Sequence, residues 1–561
     1  MSSPHLQRQY SKLYHHYQSG TSTSQTTLSD IADVLFCSKR NARNVLGKLS
    51  ELTWIKWSPV TGRGKKSQLQ FLRSTDENSE QIARDYIAKG RLEMALSALS
   101  NDSEKLSGLL RDHMGGKAIN GKQVLRIPYY RSFPVLSPTS VLKRTERHLV
   151  RYILEGLTRI DEEKGEVIAA ISHHWQQLDQ LTWRFYLRTN VYFHNGKRVS
   201  IDDIEWSLEK IRQYSAFAHI EKIEVIASDV IDIHLIYPDH SLPMLMAQNK
   251  ATITPENEPL SKSLPIGTGS FKVLKNTHEQ LILEAFSDYY GERPILDRIE
   301  FWTVPNMPST YLYPSDEKQQ ITGLNFTPKS HTLDNGSLYL LLNHTQVLGE
   351  KPQWRDYLSQ LLNSLNVFQA MEHNNHSYRY AAAYGLLPTW AHVPYLTHQH
   401  KPHDLKEVSL AYDPQHPMHP TLIAAIKKLL QDVCITVKEI QYSPDKNTTH
   451  VVTADLILES FSVTNPVNIS MVTWFYQYDH IKRVMSENSF MQFANLIKRW
   501  RQQESENIAD QIGQRLVSKQ HIIPLVHPWN GIKDSEGLCA AQANKIGWFD
   551  FNKVWIKRVL D

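Results

Sequence analysis

Two apolar stripes at helical spacing, separated by only a few residues, constrain the start of this chain more than any other feature. In TTLSDIADVLFCSKRNARNVLGKLSELTWIKW, which begins at Thr26, the residues Leu28, Ile31, Ala32 and Leu35 recur at i, i+3, i+4 and i+7. Ala42, Val45, Leu46 and Leu49 repeat the pattern. Thr27 with Asp30 three residues on reads as a capping box for a first helix, and Ser38 as the N-cap of a second. Phe36 and Cys37 form the tight connection between them. A strand from Trp54 to Trp57 follows, then the breaker-rich Ser58-Pro59-Val60-Thr61-Gly62. A second strand, Gln68–Leu72, has Leu69 and Phe71 in alternation.

With the apolar stripe of the second helix turned inward, the rotation of about 100° per residue puts Arg40, Asn44 and Gly47 on the opposite side. Asn41, Arg43 and Lys48 flank them, and Ser38 and Lys39 open the helix. Arg, Lys and Asn are the side chains that reach base edges and phosphates in a major groove. The hairpin tip adds Arg63, Lys65 and Lys66, a wing suited to phosphates or the minor groove. Two helices followed by a basic hairpin make a winged helix-turn-helix head over residues 1–75, with these eleven residues as its predicted DNA contacts. The charge agrees. Residues 1–75 hold six Lys and five Arg against Asp30, Asp33 and Glu51, a net +8 in a chain whose total is +4, so the remainder is acidic.

The other residues form a separate body, since 561 residues exceed what one core serves. Residues 76–121 read as a helical connector that packs on the body or pairs two chains. From Val124 strands and helices alternate. The run of strand Val408–Tyr412, helix Thr421–Leu430 and strand Ile435–Ile440 predicts a parallel crossover in an α/β body. No stretch approaches the roughly 18 apolar residues of a membrane span, and Met1–Gly20 has no apolar core of the signal-peptide kind. Cys37, Cys434 and Cys539 are too few and too scattered for a disulfide framework. These features predict a cytoplasmic chain without a membrane partner. There is no Gly-rich phosphate loop, nucleophile elbow or HExxH, which predicts that the chain is not an enzyme. His398, His400, His403, His416 and His419 lie in Pro-containing loops without a Cys or acidic cluster, so no metal or cofactor is expected.

Four segments of the body, EGLTRIDEEKGEVIAAISHHW (155–175), TWRFYLRTNVYFHNGKRVSIDDIEWSL (182–208), PIGTGSF (265–271) and YYGERPILDRIEFW (289–302), resemble family 5, the peptide- and nickel-binding class of extracellular solute-binding proteins. The carrying positions are Leu187-Arg188, Phe193-His194-Asn195-Gly196 and Asp202-Asp203. The resemblance implies a two-lobed, type II periplasmic-binding-protein-like α/β body over 122–561. Lobe one would cover about 122–310 and 515–561, and lobe two about 311–514. LILESFSVTNPVNISMVTWF lacks the Trp–Asp motif with which such receptors hold a peptide amine. In the cleft the expected ligand contacts are Tyr130 and Arg131 at the end of the first body strand, the flexible crossing Gly267, Thr268 and Gly269, and the aromatic rings of Tyr384 and Trp474. Arg131 is the first choice for a phosphorylated ligand.

A basic winged head on such a body resembles SgrR-type transcriptional regulators of the sugar-phosphate stress response, carried by CSKRNARNVL, GRGKKSQLQFL, LRIPYYR and AYGLLPTW. The resemblance implies an activator of a small regulatory RNA gene whose partners are double-stranded DNA, a small-molecule effector such as a sugar phosphate, and RNA polymerase. The competing reading is a solute receptor of an ABC transporter for peptides or oligosaccharides. Compartment separates the two.

Overall fold

The computed structural model describes residues 4–557 apart from 18–22, 61, 63–64, 111–112, 139, 141, 257, 259–263, 305–327, 373–379, 398–399, 443–452, 478, 504–506, 534–537, 542–543 and 545–546. The head begins with helix α1 (Pro4–Tyr17), strand β1 (Thr23–Thr26), helix α2 (Leu28–Val34) and helix α3 (Lys39–Glu51). Strands β2 (Ile55–Ser58) and β3 (Ser67–Phe71) complete a three-stranded antiparallel sheet in the order β1-β3-β2. Leu6, Tyr10 and Leu13 of α1 join Ile31, Leu35, Val45, Leu46 and Leu49 in one core. Each such aliphatic side chain, fully buried, contributes about 1.5–3 kcal/mol. Tyr10 packs edge-on against Trp54 and Phe71, with centroids at 5.4 and 5.7 Å.

Helices α4 (Thr75–Ala88), α5 (Leu92–Ala98) and α6 (Ser103–Leu110) continue the chain. Ile82, Ile87, Leu92, Leu96, Leu106 and Leu110 belong to the head's own core, as do Trp302 and Val304 from the body. The expected break between a head ending at 75 and a connector starting at 76 therefore falls inside one packed unit. The reason is physical: a winged domain this small leaves one side of α1 open, and α4 covers it, with Gln7 Nε2 donating to Ser79 Oγ at 3.0 Å. Strand β4 (Gly115–Ile119), just before the boundary expected at 121/122, forms a hairpin with β5 (Lys122–Tyr129) and ties the two units together.

Among the described residues the body holds three main sheets. The first is five-stranded, in the order Phe271–Asn276, Gln280–Ala285, Arg298–Thr303, β5, β4, with only the Arg298–Thr303 and β5 pair parallel. Helix α7 (Arg144–Ile153) lies on it through Leu149, Val150 and Ile153. The second is antiparallel, in the order Ile220–Ala227, Val230–Leu235, Thr182–Leu187, Ser172–Gln177. The third is mixed and seven-stranded, and Glu407–Tyr412 pairs in parallel with Thr436–Gln441 across the helix His419–Asp432. Strand Ile522–Lys533 sits inside that third sheet beside Gly336–Leu342. The return to lobe one expected at 515 therefore comes later: Leu538–Cys539 pairs with Trp555–Ile556, and Phe551, Val554 and Ile556 enter the core under β5. Among the described residues no helix is long and apolar enough to cross a membrane.

Candidate nucleic-acid interface

Local chemistry fixes the two helices of the head. Thr27 Oγ1 accepts from the Asp30 amide at 3.3 Å while the Asp30 carboxylate accepts from the Thr27 amide at 3.1 Å, closing the capping box on α2. Ser38 Oγ accepts from the Asn41 amide at 3.3 Å and caps α3. Between them the Cys37 amide donates to Ala32 O at 2.9 Å and the Phe36 amide to Asp33 O at 3.1 Å. Ala42, Val45, Leu46 and Leu49 are buried.

Ser38, Lys39, Arg40, Asn41, Arg43, Asn44, Gly47 and Lys48 are all exposed, so the structure brings the eight predicted α3 residues to the solvent side of one capped helix. A Cβ at Gly47 would meet no atom within 4 Å, and nothing inside the protein requires glycine there. Gly47→Ala is therefore expected to stabilise α3 by up to about 1 kcal/mol. If the helix backbone approaches a groove at this point, duplex affinity falls in the same variant. Thermal melting and a titration with duplex on one sample read both effects.

In the wing, Trp57 faces Leu69 and Ser58 faces Gln68 across the hairpin, and Val60 N donates to Ser67 Oγ at 3.1 Å. Lys65 and Lys66 are exposed at its tip, and Arg63 lies outside the described residues. Sequence reasoning missed α1, whose Leu6, Tyr10 and Leu13 carry the i, i+4, i+7 signal. Its outer face shows Arg8 and Lys12.

The body residues fare differently. Arg131 is buried in an ion pair with Glu146 of α7, which has no exposure. Its fork is engaged inside lobe one, where the cation would otherwise be unpaired, so its expected role toward a phosphorylated ligand is withdrawn. Half-buried Tyr130 lies beside it, with the guanidinium 5.6 Å from the ring centroid. The crossing at Gly267, Thr268 and Gly269 is packed rather than flexible. A Cβ at Gly267 would come within 2.2 Å of Ile153 O and one at Gly269 within 2.3 Å of Tyr152 O, a close approach to α7 that only glycine permits. Trp474 is 2% exposed and packs on Phe461 and Tyr339, so it fills the core instead of stacking on a ligand. Tyr384 is exposed.

Contacts between the sheets that sequence could not foresee hold the body together. Lys143 pairs with Asp413 and Arg144 with Asp334, each reaching from the start of α7 to the seven-stranded sheet. Arg151 donates to Thr464 Oγ1 at 3.2 Å, and Asn465 Nδ2 to Glu162 O at 3.0 Å. A fully buried cluster joins the four-stranded sheet to the helix Glu487–Gln503: Asp239 lies 2.8 Å from His219 Nε2 and 3.4 Å from Arg501 Nε. Among the described residues no three His, Cys, Asp or Glu side chains are arranged to hold a metal ion.

Comparison with known proteins agrees with this division. The family described as sugar transport-related sRNA regulator N-term matches residues 5–121. That of bacterial extracellular solute-binding proteins, family 5 Middle, matches residues 167–330. The HTH-type transcriptional regulator SgrR of Yersinia pseudotuberculosis serotype I is 33% identical over 561 residues, covering 99% of each chain. The protein of that name from Escherichia coli O157:H7 is 33% identical over 566 residues, again with 99% of each covered. In fold, 78% of the chain superposes on 99% of the Bacillus subtilis oligopeptide-binding protein AppA, with TM-score 0.63 and 16% identity. The Escherichia coli murein tripeptide binding protein MppA matches 79% of the chain and 100% of its own, with TM-score 0.63 and 16% identity. A winged head and a two-lobed body, matched end to end by such relatives, identify the chain as a member of the SgrR family of HTH-type transcriptional regulators.

Proposed function

We propose that this regulator binds double-stranded DNA through α3 and the wing, and that a small molecule held between the lobes of the body changes that binding. The observation that carries the reading is the face of α3, where eight residues of DNA-contacting type are exposed on one capped helix, with Lys65 and Lys66 exposed on the wing. Arg and Asn give it the means to read guanine and adenine edges, and the lysines the means to neutralise phosphates. On its resemblance to SgrR-type regulators of the sugar-phosphate stress response, we infer a target in the gene of a small regulatory RNA, activation with RNA polymerase as partner, and a phosphorylated sugar as effector. The compartment that suits this work is the cytoplasm. Nothing in the reading requires catalysis.

The seam by which the body reaches the head is built from Trp302 and Val304, which enter the head's core, and from Gln280, whose Nε2 donates to Gly90 O at 3.2 Å. A shift of the five-stranded sheet is thereby passed to α4–α6. An effector moves this equilibrium only by its difference in affinity for the two arrangements, and a few kcal/mol suffices.

The test is a selection from random duplexes with the full chain, with and without phosphorylated sugars, at two salt concentrations. One recovered motif, altered in occupancy by the sugar, supports the reading; salt-sensitive binding without a motif removes it. On the recovered site, Arg40→Ala or Asn44→Ala is expected to lose about 1–3 kcal/mol and the preference at one base position. Lys65→Ala should weaken all duplexes alike and lower the salt slope by about one. Unchanged affinity for Arg40→Ala would show that α3 does not read the groove.

A further inference from the structure

The turn before α3 carries a residue that the folded protein has no use for. Phe36 is 87% exposed, although it is a large aromatic. Its φ is +51°, in the left-handed region that suits Gly or Asn and strains a bulky side chain. It therefore gains little by burial and is held in an unfavourable backbone, a combination that marks sites of function. Its neighbours are basic. Lys12 Nζ of α1 stands 5.3 Å from the ring centroid. Two residues on, Ser38 caps α3, and Lys39 and Arg40 follow as exposed cations. Arg8 lies one turn before Lys12 on α1 and is also exposed. An apolar ring with a cation over it, and further exposed cations close by along α1 and α3, suits a partner with small apolar patches set among anions, which describes the wall of a DNA groove.

We infer that Phe36 and Lys12 extend the DNA contact beyond α3. The ring rests on the apolar edge of the duplex, a thymine methyl or a deoxyribose, and the ammonium neutralises the adjacent phosphate. α1, which sequence reasoning passed over, thereby becomes part of the interface. The inference rests on the reading that α3 enters the groove, and its test separates the two.

The experiment uses the full chain and the duplex recovered by selection. Phe36→Asn suits the left-handed turn, so it is expected to melt at the same temperature as the parent or higher while binding the duplex at least about fivefold more weakly. Lys12→Gln is expected to lower the salt slope by about one without changing base preference. Replacing thymidine by deoxyuridine, position by position, separates the two apolar sources. A loss at one position that disappears in Phe36→Asn assigns the methyl, and no loss at any position assigns the sugar. Parental affinity in Phe36→Asn while Arg40→Ala still fails overturns the inference and leaves the reading of α3 intact. A parent chain that selects no duplex overturns both. If Phe36→Asn instead abolishes self-association measured without DNA, the ring belongs to a second copy and the inference falls.

Discussion

Acidification from pH 7 to between about 4 and 5 is expected to unfold the body, because it keeps several histidines neutral by burying them. Burial lowers His148, His194, His344 and His419 from 6.5 to about 4. Each has its hydrogen bonds arranged for the neutral ring. His194 Nε2 faces Gly269 O at 3.0 Å while its Nδ1 accepts from the Gly267 amide at 3.3 Å, so a second ring proton would displace the crossing from α7. His419 Nδ1 lies 3.0 Å from Asp413 O, and its ring stacks on His416 at 4.1 Å. His416 is also held well below its ordinary value by burial, by His419 and by the nearby Lys143, Arg144 and Arg131.

The sign follows from linkage. A group whose pKa is lower in the folded than in the unfolded chain takes up its proton on unfolding, so stability present above pH 6.5 is lost as pH falls toward 4. At pH 5 each of the four costs about 2 kcal/mol, and together they remove about 8, comparable with the whole stability of an ordinary domain. Glu155 and Asp550, pushed up mainly by burial, act in the opposite sense and soften the loss. Near-ultraviolet circular dichroism against pH measures the transition. His419→Asn, which retains a donor toward Asp413 O and does not titrate, should move the midpoint to lower pH. Stability unchanged between pH 7 and 5 would show that these rings are not held neutral by the fold.

The head was legible in the sequence because its signals are local. Period and capping within 26 residues placed α2 and α3, and rotation about the helix axis then placed the residues expected to contact DNA from α3 on the exposed side. Alternation placed the two hairpin strands. α1 was passed over because Tyr10, Tyr14 and Tyr17 interleave with polar residues and blur a stripe that Leu6 and Leu13 only outline. The body cleft was not legible. Arg131 reads as a free cation at a strand end until Glu146, fifteen residues on, is folded beside it. Trp474 reads as a stacking platform until Tyr339 and Phe461 close around it. Lys143 and Asp413 are 270 positions apart, a pairing that no periodicity encodes. Fold resemblance supplied the two lobes but not their internal boundary, because the strand Ile522–Lys533 is placed by pairing with the sequence-distant strand Gly336–Leu342.

Removing the charge of Asp239 is expected to be the most damaging single change in the body, and to act on the joint between its four-stranded sheet and the helix Glu487–Gln503. The carboxylate is fully buried. Its Oδ1 accepts from the Ser241 amide at 2.8 Å and from Ser241 Oγ at 2.6 Å, while its Oδ2 faces His219 and Arg501. Despite its burial, Arg501 and His219 lower it to about 2. Arg501 is 1% exposed, and its second nitrogen donates to Ala216 O at 2.8 Å. Asp239→Asn keeps the shape and an acceptor for Ser241 but leaves the guanidinium buried without a counter-charge, at a cost of about 3–5 kcal/mol. Arg501→Met strands the carboxylate in the same way. The double change removes both charges together, so it should cost less than either single change, and chemical denaturation of the four proteins closes the cycle. Because His219 immediately precedes the strand Ile220–Ala227, Asp239 follows the strand Val230–Leu235 and Arg501 belongs to the helix Glu487–Gln503, the cost falls on the contact between that sheet's end and that helix. Asp239→Asn should enlarge the radius of gyration seen by small-angle scattering, while the chain's affinity for a duplex recovered by selection, measured without effector, stays the same. Effector-dependent binding that survives this loosening would show that the response does not pass through that joint.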